Sequence, residues 1–186
     1  LTLPTHEDVK EMSETDKTLS LLDPRFLDTP AYAVEQSRQV ASVMADKSRK
    51  AMDLAMELLQ GYDEAKAEQV AQMETDVDRF EDELGTYLVK LSSRQLSGKD
   101  SETLNTILHC IGDFERISDH ARNVKEAAQE MYDKKLDFSD KAQEELKVFE
   151  RAVHDILDIT MNSFIKGDLN LARQVEPMEE VIDGLS

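Results

Sequence analysis

An all-α fold, an antiparallel bundle of long helices, follows from three observations. The 186 residues include no Trp, four Pro and six Gly, so long stretches rich in Ala, Met, Leu, Glu, Gln and Lys run without a helix breaker. Apolar residues recur at three- and four-residue steps: Val70, Met73, Val77, Phe80, Leu84 and Leu88 form one arc, and Leu104, Ile107, Leu108, Ile111, Phe114 and Ile117 another. Sliding the chain against itself by 105 residues then exposes a repeat, with six of the twelve positions from Ala67 onward agreeing. Ala67, Gln69, Val70, Met73, Glu74 and Asp78 meet Ala172, Gln174, Val175, Met178, Glu179 and Asp183. Two acidic amphipathic helices agreeing by composition is the bland alternative.

The elements follow in order. Residues 1–28 are polar and irregular, with acids scattered through HEDVKEMSETD, and suit a linker or a strap laid over the domain. A first long helix starts with Thr29 as N-cap and Pro30 at its first position, runs through Val40, Met44, Leu54 and Leu58, and stops at Gly61. A second occupies 63–96, up to the turn residues Ser97 and Gly98. Asp100 or Ser101 can cap a third, which ends near Tyr132; Ser139 can cap a fourth, ending at Gly167, and a fifth starts near Asp168. The repeat unit is therefore three helices: 29–133 is one copy, and 134–186 holds the first two helices of a second, truncated copy. Connections this short place successive helices antiparallel. The chain begins at Leu1 and stops at Ser186 inside a helical pattern, which reads as a fragment.

Three of these helices carry an acid pair in the ExxxD step: Glu74 with Asp78, Glu115 with Asp119, and Glu179 with Asp183. The step puts both carboxylates on one side of a helix, one turn apart. In the first two the pair falls along one edge of the apolar arc. Carboxylates about 5.5 Å apart repel by about 3 kcal/mol at an effective dielectric near 20. A proton, a neighbouring Arg or Lys, or a bound cation would each relieve that. For Asp119 the bases Arg116 and Arg122 stand three residues to either side, whereas no base lies three or four residues from Glu74, Asp78, Glu179 or Asp183. Edges brought together by packing would make a site of hard oxygen ligands, suited to Mg²⁺, Mn²⁺, iron or zinc. Solvated acids are the alternative.

Other chemistry finds little support. A net charge of −18 argues against nucleic acid or an anionic membrane surface as partner. Cys110 is alone, so no intramolecular disulfide forms, and it reads as a small core residue. His6, His109, His120 and His154 occur singly, with no HExxH and no Glu-x-x-His step, and His120 reads as a surface residue. Phosphate loops, GxSxG and Rossmann patterns are missing. The methionines, among them Met44, Met52, Met56 and Met73, fall at core spacing.

The segment Phe114 to Glu126, FERISDHARNVKE, resembles the signature of PhoU proteins, in which a helix carries ERIGDH followed by Asn at the fourth position after Asp. Those positions here are Glu115, Arg116, Ile117, Ser118, Asp119, His120 and Asn123; Ser118 stands for the usual Gly, a small-for-small change expected to cost little. QMETDVDRFEDEL in the second helix is similar to the companion PhoU element, and the resemblance spans about 30–186. The absent sixth helix departs from the family and would carry half of one metal site. LDPRFLDTPAYAVEQSRQ, Leu22 to Gln39, is most similar to the soluble C-terminal PhoU domain of bacterial sodium/phosphate cotransporters.

The resemblance implies a cytoplasmic regulatory domain of phosphate uptake at the inner face of the plasma membrane, not an enzyme. Its ExxxD rows would bind iron, zinc, manganese or magnesium. By position Glu74, Asp78, Glu115, Asp119, Glu179 and Asp183 take the ligand role, with Asn123 in support one turn on. The implied partners are a membrane phosphate transporter, in cis or in trans, and a signalling protein. Self-association is expected because helices four and five lack a third to cover their apolar faces. The alternatives are a free-standing PhoU regulator of a phosphate ABC transporter and, in a different class, a carboxylate-bridged di-metal oxidase bundle.

Overall fold

A seam of mostly small buried residues organises the bundle. The computed structural model describes residues 12–167. Ser37, Ala41, Met44, Ser48, Ala51, Ala55 and Leu58 are all buried and recur in alternating steps of four and three, the spacing that keeps one stripe of a helix against its neighbours. Most are small. They lie on α2 (Pro30–Gln60), and their size lets α3 (Glu64–Ser92) and α4 (Gly98–Asp133) pack closely on it. The two serines satisfy their buried hydroxyls within the helix, Ser37 donating to the Ala33 carbonyl at 2.8 Å and Ser48 to that of Met44 at 2.9 Å.

Cross-helix contacts give the directions of α3 and α5. Lys47 reaches Asp76 at 2.5 Å and Lys66 reaches Glu57 at 2.6 Å, so α3 runs antiparallel to α2. Contacts of α5 (Asp140–Lys166) with α2 descend in the same manner, from Gln60–Glu150 through Asp53–His154 to Arg38, which donates to the Ile165 carbonyl. The described residues thus form an all-helical antiparallel bundle. Phe80, Leu84, Leu88, Leu91 and Ile107 are fully buried in its core.

Each groove between the three central helices has its own fate. The α2–α4 groove receives α5, whose Leu157 and Phe164 pack on the core and whose Phe164 ring meets Phe114 edge-on at 5.0 Å. The α2–α3 groove receives the N-terminal arm. Residues 12–28 are not irregular: α1 (Glu14–Leu19) and a 3-10 turn (Pro24–Asp28) bury Leu19, Leu22 and Leu27. Lys47 hydrogen-bonds Thr15, Arg79 pairs with Asp16 at 2.7 Å, and the Tyr87 hydroxyl donates to the Asp23 carbonyl. The α3–α4 groove carries neither.

Helix ends follow local capping, with three departures. Gly61 and Gly167 end α2 and α5, and Gly167 adopts the left-handed conformation at φ 64°. Asp63 and Ser139 cap α3 and α5 as their side chains accept from Lys66 N and Ala142 N. Thr29 makes no cap, because its hydroxyl donates to the Phe26 carbonyl of the preceding turn. Ser97, rather than Asp100 or Ser101, caps α4; its hydroxyl accepts from the Asp100 amide. α3 stops at Ser92, four residues short of the expected 96. Cys110 is half-buried at the core's margin, not within it, and burial with Asp113 nearby raises its thiol pKa. The fifth expected helix, with Glu179 and Asp183, lies outside the described residues.

Candidate functional site

The α3–α4 groove, which neither α5 nor the arm covers among the described residues, holds the four described acids of the ExxxD rows. On α3 the buried residues Ala67, Val70, Glu74, Val77, Phe80, Leu84, Leu88 and Leu91 follow steps of three or four. Glu74 therefore sits on the apolar stripe itself, 7% exposed, and not along its edge. Asp78, one turn on, is exposed. On α4, Glu115 and Asp119 are both half-buried beside the stripe of Leu104, Ile107, Ile111, Phe114 and Ser118.

A buried carboxylate needs a partner. Glu74 finds one in the Arg122 guanidinium, which pairs through Nη1 with Glu74 and through Nη2 with Asp119 at 3.0 Å. One side chain thus joins the acid rows of two helices. No base stands within a turn of Glu74 in the sequence; the base comes from 48 residues away.

The remaining negative charge is less well compensated. Burial, then the nearby Asp119 carboxylate, raises the Asp78 pKa, with Arg122 partly opposing. Burial also raises that of Glu115, helped by the charge of Asp119, by a hydrogen bond its protonated form makes to Asp119, and by Asp78 and Glu81. Acids from both helices therefore feel one another. Asn123 and His120 are exposed.

Ser118 departs from expectation. Its side chain is fully buried and its hydroxyl has no hydrogen-bond partner among the described residues, so the exchange of Gly for Ser carries an unsatisfied polar group worth about 1–3 kcal/mol.

By chemistry alone the side chains would suit a hard cation, since every candidate donor is an oxygen and negative charge is in excess. Among the described residues, however, no three His, Cys, Asp or Glu side chains gather closely enough to hold a metal ion. The guanidinium occupies the point where Glu74 and Asp119 meet.

The model of the PhoU domain family matches residues 41–128. That span, just under half the chain, runs from within α2 to near the end of α4 and includes Glu74, Asp78, Glu115, Asp119, Arg122 and Asn123. Comparison with curated proteins and with solved structures gives no match. The PhoU match supports the family likeness of the three central helices. The finer likeness to cotransporter domains rests on Leu22 to Gln39, entirely outside the matched span. No helix among the described residues is long and apolar enough to cross a membrane.

Proposed function

We propose that this chain is a PhoU-like regulatory domain of phosphate uptake, without catalytic activity of its own, that works at the cytoplasmic face of the membrane. The carrying observation is the PhoU match over the three central helices, two of which, α3 and α4, bring their acid rows to one groove. Glu74, Asp78, Glu115 and Asp119 would hold a cation there, iron, zinc, manganese or magnesium, with Asn123 in support; Glu179 and Asp183 would serve the second copy. The cation would supply the positive charge that lets the two acid rows stand together. The chain's own part is to hold those rows at fixed separation on rigid helices, so that occupancy alters the charge and stiffness of a face free to meet a partner.

That partner is a membrane phosphate transporter, and the segment Leu22 to Gln39 favours a sodium/phosphate cotransporter in cis. A signalling protein and a second copy of this chain are further partners. Strong net negative charge argues against nucleic acid.

Two measurements test this. Metal analysis of the purified chain should find bound metal in the wild type and less in Glu115→Ala/Asp119→Ala; equal content in both would overturn the site. Phosphate uptake by cells carrying the same double substitution in the full-length protein should change, and unaltered uptake would overturn the regulatory role.

A further inference from the structure

We propose that the cavity at the α4–α5 end of the bundle is a docking site for a basic protein segment, and that it takes one aromatic side chain of the partner standing beside Lys or Arg. The site is separate from the acid rows, since Ala128 on its wall lies more than two helical turns beyond Asp119 along α4. It stands or falls independently of any cation in the α3–α4 groove.

Size, shape and charge carry the assignment. The last turn of α2, the end of α4 and the first turns of α5 enclose a cavity of about 290 Å³, close to twice the void of about 150 Å³ that accepts a benzene ring. That is room for one aromatic group, and too little for a helix. Leu58 and Ala128 border it while almost fully buried, so its inner side is apolar. Tyr62 and Tyr132 line it as well, their rings stacked with centroids 4.9 Å apart and planes 24° apart, a surface that a third ring can stack on or meet edge-on.

The mouth favours a protein over a free small molecule. Tyr132 is 62% exposed and Leu136 55%, although both border the cavity. A small ligand would fill the interior and leave these two in water, whereas an anchor residue brings neighbours from its own chain that cover them. Leu136 is held at the rim by the helix end: Lys135 before it takes the left-handed conformation at φ 53°, and the Leu136 amide donates to the Met131 carbonyl at 2.9 Å.

Charge selects the partner. Asp137 borders the cavity, and the Tyr62 hydroxyl donates to Glu64 at 3.3 Å. Burial, then Glu64 and Asp133, raise the Tyr62 pKa, so both carboxylates act on this wall. Lys147 is the one base among the lining residues, while Lys66 and Lys134 are spent on Glu57 and Glu130. Excess negative charge around tyrosine faces suits a ring flanked by cations. A net charge of −18 opposes a second copy at the same place.

The chain has no Trp, so the emission of a peptide's indole reports binding without background. The full chain is titrated into Ac-Lys-Trp-Lys-NH2 and Ac-Glu-Trp-Glu-NH2, as wild type, Tyr132→Ala and Asp137→Asn, both changed positions being exposed. The basic peptide should bind with blue-shifted emission, and the acidic one roughly tenfold more weakly or worse. Tyr132→Ala leaves the net charge as it is and should weaken the basic peptide about tenfold; Asp137→Asn should weaken it about twofold. Equal binding of the two peptides would overturn the preference for a basic segment. Basic-peptide affinity unchanged in Tyr132→Ala would place that peptide elsewhere on the acidic surface and overturn the site. Free indole binding as tightly as the basic peptide would make this a small-molecule cavity, and wild-type self-association abolished by Tyr132→Ala would give the mouth to a second copy; either overturns the proposal. Should Tyr132→Ala lose its helical circular dichroism, Asp137→Asn decides, since unchanged affinity there also overturns it.

Discussion

Arg122→Met and Glu74→Gln break the same ion pair, yet the two substitutions should cost different amounts. In Glu74→Gln the guanidinium keeps Asp119 at 3.0 Å and has water on its outer side, so the loss is that of a partly exposed interaction, about 1 kcal/mol. In Arg122→Met the Glu74 carboxylate stays on the apolar stripe with its partner gone. Breaking a buried pair from that side leaves an uncompensated charge out of water and costs about 3–5 kcal/mol, several times the loss from the exposed side. Urea unfolding followed by circular dichroism, with EDTA present, measures both losses. A Glu74→Gln loss equal to or larger than that of Arg122→Met would refute the reasoning.

Ser118→Ala should stabilise the chain by about 1 kcal/mol, because it removes a buried hydroxyl without a partner and adds helix propensity; a lower urea midpoint would contradict this. Phe80→Ala empties a fully buried position at the centre of the core, beneath the Lys47 ammonium 5.8 Å from the ring centroid, and should cost about 3–5 kcal/mol in unfolding free energy. His154 on α5 meets Asp53 of α2 at 2.9 Å, with Asp158 and Arg49 also near, and the hydrogen bond to Asp53 leads in raising its pKa. A raised folded-state value means that its contribution is complete below the unfolded value near 6.5 and is lost as pH climbs through the folded one. With 48% of its side chain exposed, the effect should stay below about 0.5 kcal/mol. His154→Gln should flatten the stability profile between pH 6 and 8, and an unaltered slope would show that the pair does not hold α5.

Much of the fold was legible along the chain because its signals are local. Pro30, Gly61, Asp63, Ser139 and Gly167 mark helix ends through interactions confined to a turn or less. Where neighbours compete, the same signals misled: Thr29 turned its hydroxyl to the 3-10 turn before it, and Ser97 took the cap assigned to Asp100 or Ser101. The N-terminal arm does lie over the domain as a strap from residue 12 on; its helical turns were not legible, because its three buried leucines are few and its short turns are held by α2 and α3 rather than by their own periodicity. Glu74 was placed beside the stripe when its three-four spacing with Val70 and Val77 puts it on the stripe, a signal that was present and overlooked.

By itself the sequence determined that Glu74, Asp78, Glu115 and Asp119 stand in ExxxD rows on long helices, because a helix's repeat fixes what lies one turn away. Only the tertiary structure decided what faces those rows. Arg122 reaches Glu74 across 48 residues, α5 and the arm cover two grooves, and the acids are left in the third. Such pairings depend on how far each rod is rotated and slid against the next, and side chains from all three helices set those quantities together, while the periodicity of any one helix is blind to them.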